Sequence, residues 1–318
     1  MIWFGEVSLS KVVFFMTSVC GAILAVASKS VFGAWCGLEL GFFGLVPLLV
    51  GNSSEESEAG FKYFMVQVIG SGFLVVGLTS LVLEVFMWSM WFFFLIGFML
   101  KMGLFPFHGW VPSVVGYSSW GGLFMVLVVQ KIGPFWVLGG FGMPGCVLFW
   151  FMFFGVFTSL AGSFGGLNQV NFRLILGYSS LSHSGWLMSL CFFDWHGFVV
   201  YFVVYMVLLS MVVLMNTQRG FGTSVAGSCY LLSMGGLPPF LGCLSKIVGV
   251  KFLASISPFV VGVLLASSMI SLGYYSWIFI CLNLKGLGYY LPGEVGGFQH
   301  LLFNVAAGAG AVIFTIAF

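Results

Sequence analysis

Phe92-Phe93-Phe94-Leu95-Ile96-Gly97-Phe98-Met99-Leu100-Lys101-Met102-Gly103-Leu104-Phe105-Pro106-Phe107-His108 places one lysine after a long uncharged run and a proline five residues beyond it. Pro106 lacks a backbone N–H and its ring clashes with the preceding turn, so a helix running through this stretch is expected to kink or break. Broken helices at membrane depth are tolerated where they line a polar cavity. A lysine one turn before such a break is placed for ion chemistry, and the reading of this stretch as membrane-embedded decides the fold.

The rest of the chain agrees with that reading. Charged residues make up 6% of the 318 and apolar residues 61%, whereas a soluble domain carries about 25% charge. With a mean hydropathy of +1.16, a soluble chain of this length has too little interior to hide its apolar surface, while a bilayer accepts it. The net charge of +2 is spread thinly, so no basic patch argues for nucleic acid. Cys20, Cys36, Cys146, Cys191, Cys229, Cys243 and Cys281 lie singly in apolar stretches. They lack the spacing of a metal or iron–sulfur site and read as small buried side chains. The start, MIWFGEVSLSKVVFF, resembles neither a transit peptide nor a cleaved signal, so the first apolar segment is expected to remain as a membrane helix. Abundant Phe, Gly, Val, Trp and Cys share T- and G-rich codons, a skew common in small organellar genomes.

Runs of about 20 apolar residues are needed to cross a bilayer. Eleven are expected, at about 7–27, 31–50, 60–83, 88–112, 118–140, 145–165, 170–192, 196–217, 225–252, 257–283 and 298–317. Short polar stretches separate them, including an acidic loop at Asn52–Glu58, a weak boundary near Glu84 and Asp194. A single membrane domain, 1–318, covers the chain. With termini on opposite sides, Lys11, Lys62, Arg173, Arg219 and Lys285 collect on the N-terminal side against Lys29 and Lys251 on the other, placing the N-terminus inside.

Five ionisable residues remain deep in apolar sequence: Glu39, Lys101, Lys131, His183 and Lys246. Each costs at least about 2.5–3.5 kcal/mol at the bilayer centre, so each requires a partner or a function. The bland readings are a protonated packing carboxyl for Glu39, a snorkelling end-of-helix lysine for Lys101 and a satisfied structural histidine for His183. Lys131 precedes Pro134. His183 sits among Tyr178, Ser179, Ser180, Ser182 and Ser184, which can carry a hydrogen-bonded chain. Lys246 follows a second break at Pro238 and Pro239. His108 is a secondary candidate that caps backbone groups freed by Pro106, and His196 and His300 read as interfacial. The two breaks share G-L-x-P-F, at Gly103–Phe107 and Gly236–Phe240, on helices expected to run in opposite directions, the pointer to an inverted-repeat transporter.

These blocks resemble the NADH dehydrogenase (NADH-ubiquinone oxidoreductase) subunit 2 family, the antiporter-like membrane subunits of respiratory complex I. The resemblance rests on Gly37-Leu38-Glu39, Lys62-Tyr63-Phe64, Lys101 through Pro112, Gln130-Lys131-Ile132-Gly133-Pro134, Gly165-Gly166-Leu167-Asn168-Gln169, Tyr178-Ser179-Ser180 with His183 and Gly185-Trp186, and Leu231 through Pro239. It implies an all-α polytopic fold of eleven helices in two inverted five-helix repeats, about 7–140 and 145–283, plus a terminal helix at about 298–317. The family's buried ionisable residues fall on Glu39, Lys101, Lys131 and Lys246, and His183 matches a family histidine. The chain departs from the pattern at Ser113, where an acidic residue is usual, and at Leu174, where a basic one is.

The implied activity is proton translocation in the mitochondrial inner membrane, with the N-terminus on the matrix side, as a subunit of an NADH:ubiquinone reductase. The resemblance further implies that NAD, FMN, iron–sulfur clusters and ubiquinone are bound by other subunits, that other membrane subunits and the lipid bilayer are the partners, and that no nucleic acid is. Desolvation favours a neutral lysine and a nearby carboxylate a charged one, so a buried pair can load and release a proton. Glu39 and Lys101 are expected to couple in this way, with Lys131, His183 and Lys246 continuing the path. A free-standing cation/proton antiporter predicts exchange by the isolated chain, and a structural spacer predicts that neutralising Lys101 leaves pumping intact.

Overall fold

The computed structural model describes residues 9–51, 53–82, 87–140, 144–219, 225–286, 302–310 and 312. Among them there is no strand. The elements are α1 (Leu9–Ala27), α2 (Val31–Leu49), α3 (Ser54–Val82), α4 (Met87–Met102), a 3-10 turn at Phe107–Gly109, α5 (Trp110–Tyr117), α6 (Trp120–Phe124), a π turn at Met125–Val129, α7 (Gln130–Gly140), α8 (Gly145–Leu167), α9 (Phe172–Phe193), α10 (Trp195–Arg219), α11 (Val225–Gly235), α12 (Gly242–Leu253) and α13 (Pro258–Gly286). Residues 302–310 are also helical.

Eight helices among the described residues are long and apolar enough to cross a membrane, two of them counted through the α4–α5 and α6–α7 junctions. The three further spans expected from sequence fall outside that set for different reasons. The segment 170–192 forms α9, whose hydroxyls and His183 lower its hydropathy. The segment 225–252 is divided into α11 and α12. The segment 298–317 lies only partly within the described residues. Glu84 and His300 lie outside them too. The acidic run expected as a loop is helical from Ser54 onward, with Glu55 and Glu56 in the first turn of α3. Carboxylates favour a helix N-terminus, and the Ser53 hydroxyl accepts from the Glu56 N–H at 3.2 Å.

The chain forms two compact units, Met1–Gly162 with Gln169–Phe192, and Ser163–Asn168 with Phe193–Phe318. In the first, α1 and α2 meet backbone to backbone. A Cβ on Gly21 would land on the backbone of Gly41 and Gly37, and one on Gly37 on the backbone of Ala25. Small residues at four-residue spacing allow such an approach in membranes, where close packing replaces the hydrophobic effect as the driving force. In the second unit α10 lies against α11 and α12, and α11 against α13. Phe32, Phe43, Phe92, Phe149 and Phe259 are among the large apolar side chains left exposed, surface that lipid would cover.

Candidate functional site

The first break begins where Gly103 takes a φ of +68°, a left-handed conformation that glycine adopts without steric penalty. The Gly103 N–H donates to Leu100 O at 3.3 Å and the Leu104 N–H to Met99 O at 2.9 Å. This is the paired C-terminal cap of a helix closed by a glycine. Two carbonyls at the end of α4 also receive side-chain donors. Trp110 Nε1 donates to Leu100 O at 3.1 Å and Gln67 Nε2 to Lys101 O at 3.3 Å. His108, read from sequence as a cap for the groups around Pro106, bonds to the Pro106 backbone and stacks on Phe105 with ring centroids 5.7 Å apart.

Lys101 therefore sits in the last turn of α4, with its carbonyl tied to α3. Its ammonium donates to Glu39 Oε1 at 2.8 Å, and the two side chains are 3% and 14% exposed. The Phe42 ring, one turn after Glu39 on α2, lies 6.0 Å from Lys101 Nζ. The close α1–α2 packing fixes the rotation of α2 and so the direction of Glu39.

Lys131 follows the π turn and is 4% exposed. Pro134 lies inside α7 and cannot donate to the preceding turn, and π turns occur frequently at functional sites. The Lys131 ammonium donates to Ser184 Oγ at 2.8 Å and Ser180 O at 3.1 Å. Both acceptors belong to α9, on either side of His183, which is itself buried. Gln130 anchors the same turn: its Nε2 donates to Gly41 O at 2.8 Å and Ser18 Oγ at 2.9 Å.

The second break repeats the first in outline. Gly236 takes a φ of +81° and its N–H donates to Ser233 O at 2.9 Å. The Phe105–Pro106 and Pro238–Pro239 peptide bonds are both cis. Lys246 lies in α12, and its ammonium donates to Gly235 O at 2.8 Å, at the carboxyl end of α11. A cation is favoured there because the last carbonyls of a helix lack partners and carry partial negative charge.

Each sequence-derived lysine is thus buried with a named acceptor, and the part-buried Glu39 faces its cation. Ser113 and Leu174, the two departures, are accommodated locally: Ser113 Oγ donates to Trp110 O at 2.8 Å, and the Leu174 side chain packs on Gly116. Arg173 donates to Ser118 O at 3.0 Å and lies 4.9 Å from the Trp120 ring, capping the end of α5. Sequence reading missed Gln67 and Trp110 as partners, and it placed Ser184 in a hydrogen-bonded chain without naming Lys131 as its donor. Their signal was a polar or indole side chain in an apolar run, without indication of its target.

Residues 79–220 match the family described as NADH:quinone oxidoreductase/Mrp antiporter, TM. NADH-ubiquinone oxidoreductase chain 2 of Mytilus edulis is 35% identical over 286 residues, covering 87% of this chain and 88% of its own length. The chain belongs to the NADH-ubiquinone oxidoreductase chain 2 family. Among solved structures, a chain of respiratory complex I from Thermus thermophilus superposes with a TM-score of 0.77 at 19% identity, covering 98% of this chain and 78% of that one. A chain of the Mrp complex from Dietzia sp. gives 0.70 at 16% identity, covering 88% and 60%. This member of the chain 2 family is a multi-pass helical membrane protein with the antiporter-like fold. Among its described residues no three His, Cys, Asp or Glu side chains converge on a metal-sized site.

Proposed function

We infer that this chain is a core membrane subunit of mitochondrial respiratory complex I. It conducts protons across the inner membrane, driven by NADH oxidation and ubiquinone reduction carried out on other subunits. The observation that carries this reading is the 2.8 Å pair of Lys101 and Glu39 at the end of a broken membrane helix. A salt bridge so little exposed is weak as a device for stability, because desolvation offsets the attraction. As a device for charge transfer it has a clear use: the carboxylate favours the ammonium, and separating the two in a dry site favours release of the proton.

In the proposed path Lys101 is loaded beside Glu39, Lys131 and His183 pass the proton along the membrane plane, and Lys246 delivers it to the outer side. Lysine ammoniums repel one another, so waters must carry the proton between them. The driving free energy arrives as a change in the Glu39–Lys101 separation, imposed by neighbouring subunits that alter the relative stability of two states. We assign eleven spans in two inverted repeats, about 7–140 and 145–283, with a terminal helix and a matrix-side N-terminus. The support is the recurrence of a left-handed glycine, a proline break and a lysine at Gly103–Pro106 and Gly236–Pro239. NAD, FMN, iron–sulfur clusters and ubiquinone would reside on the partner subunits.

Native purification from mild-detergent extracts tests the assignment. The chain is expected to co-migrate with a complex that oxidises NADH and reduces ubiquinone. Recovery as a separate particle that exchanges cations for protons would overturn the assignment in favour of a free-standing antiporter.

A further inference from the structure

Asn304 lies in the helical stretch 302–310 and is 1% exposed. Its Oδ1 accepts two hydrogen bonds from the second break, one from the Leu241 N–H at 3.2 Å and one from the Ser233 hydroxyl at 3.2 Å. A backbone amide only donates, so the atom facing Leu241 must be the side-chain oxygen and the orientation of the amide is fixed. The Ser233 hydroxyl in turn accepts from the Gly242 N–H at 3.1 Å. Ser233 belongs to α11 and Gly242 opens α12, so this network joins the two half-helices directly.

The network meets a local need. Leu241 is the N-cap of α12 and supplies no side-chain acceptor, leaving the first N–H groups of that helix to find partners elsewhere. Asn304 and Ser233 provide them for Leu241 and Gly242. Gly308, one turn beyond Asn304, seats the same helical face on the break. A Cβ there would come within 2.7 Å of Leu241 N and closer still to Phe240 and Pro239 backbone atoms.

Lys246 depends on the same join. Its stem runs against Gly236 and its ammonium rests on Gly235 O, so the lysine is on α12 while its acceptor closes α11. Whatever holds α11 to α12 sets the distance between them. We propose that Asn304 is a positioning residue for Lys246, and that the stretch 302–310 is a clasp holding the second break in the arrangement that seats the ammonium on Gly235. This deepens the proton-conducting reading of Lys246 and rests on it. Opening the clasp would free Ser233, Leu241 and Gly242 together and release Lys246 from its acceptor.

The test uses the assembled complex in proteoliposomes, with protons translocated per NADH oxidised as the readout and the amount of complex measured separately. Asn304→Leu and Ser233→Ala are each expected to lower that ratio, since the loss of one net hydrogen bond shifts the balance between seated and unseated Lys246 by about two- to tenfold. The double variant should be little worse than either, and Ser233→Thr, which keeps the hydroxyl, should restore the ratio. An unchanged ratio with only less complex assembled would mean a merely structural contact and overturn the clasp, as would simple additivity. Where Asn304→Leu fails to assemble, the Ser233→Ala and Ser233→Thr pair decides alone. Lys246→Met separates the two ideas: if it lowers the ratio and the clasp variants do not, the clasp falls. If Lys246→Met also leaves the ratio intact, the clasp falls together with the reading beneath it.

Discussion

Lys101 Nζ and Glu39 Oε1 are 2.8 Å apart although 62 residues separate them in sequence. Removing one member of such a pair leaves an uncompensated charge at a cost of about 3–5 kcal/mol, whereas removing both leaves none. Glu39→Gln and Lys101→Met should therefore each depress proton-coupled turnover, and the double variant should lose less than the sum. A double-mutant cycle on the reconstituted complex checks this, and strict additivity would show that the two act independently.

Lys131 donates to two acceptors on α9, the Ser180 carbonyl and the Ser184 hydroxyl. Ser184→Ala should lower proton-coupled turnover by about ten- to a hundredfold, the range of one lost hydrogen bond to a cation. Ser184→Thr, with the hydroxyl kept, should lie near the parent. Equal behaviour of the two variants in the same assay would remove Ser184 from the path.

The α1–α2 contact supports the pair from behind. At Gly37 any added carbon meets the backbone of Ala25, so Gly37→Ala should cost about 1–3 kcal/mol through overpacking and Gly37→Val more. Thermal unfolding of the purified complex should show graded losses in that order. A Gly37→Val complex with unchanged thermal stability would contradict the backbone-to-backbone packing.

Much of the site was legible in the sequence because charge is expensive in a bilayer. Glu39, Lys101, Lys131 and Lys246 stand out by residue type alone, and Pro106, Pro238 and Pro239 mark breaks because proline removes a donor wherever it falls. The partners were not legible for a different reason. Gln67 reaches Lys101 O across 34 residues and Gln130 reaches Ser18 across 112, and a single apolar sequence carries no signal of which helices will be neighbours. The π turn before Lys131 and the Asn304 cap on α12 are likewise tertiary outcomes. The count of spans was less secure than their existence, since α9 trades hydropathy for hydroxyls and α11–α12 is interrupted. The acidic run was misjudged because carboxylates read as loop while they also favour the first turn of a helix, as at Glu55 and Glu56.

Alternation of the assigned spans puts Glu55, Glu56 and Glu58 on the matrix side and Asp194 on the other. Cysteines introduced at Glu58 and Asp194 should react with a membrane-impermeant reagent from opposite faces of the inner membrane. Labelling of both from one face would refute the topology.

The most direct test of proton conduction through this chain is the number of protons translocated per NADH oxidised by complex carrying Lys101→Met. The ammonium at the end of α4 is the group that Glu39 holds, so its loss should lower the ratio in tightly sealed proteoliposomes while the complex remains assembled. A Lys101→Met complex that moves as many protons per NADH as its parent would contradict the account and leave the chain a structural spacer.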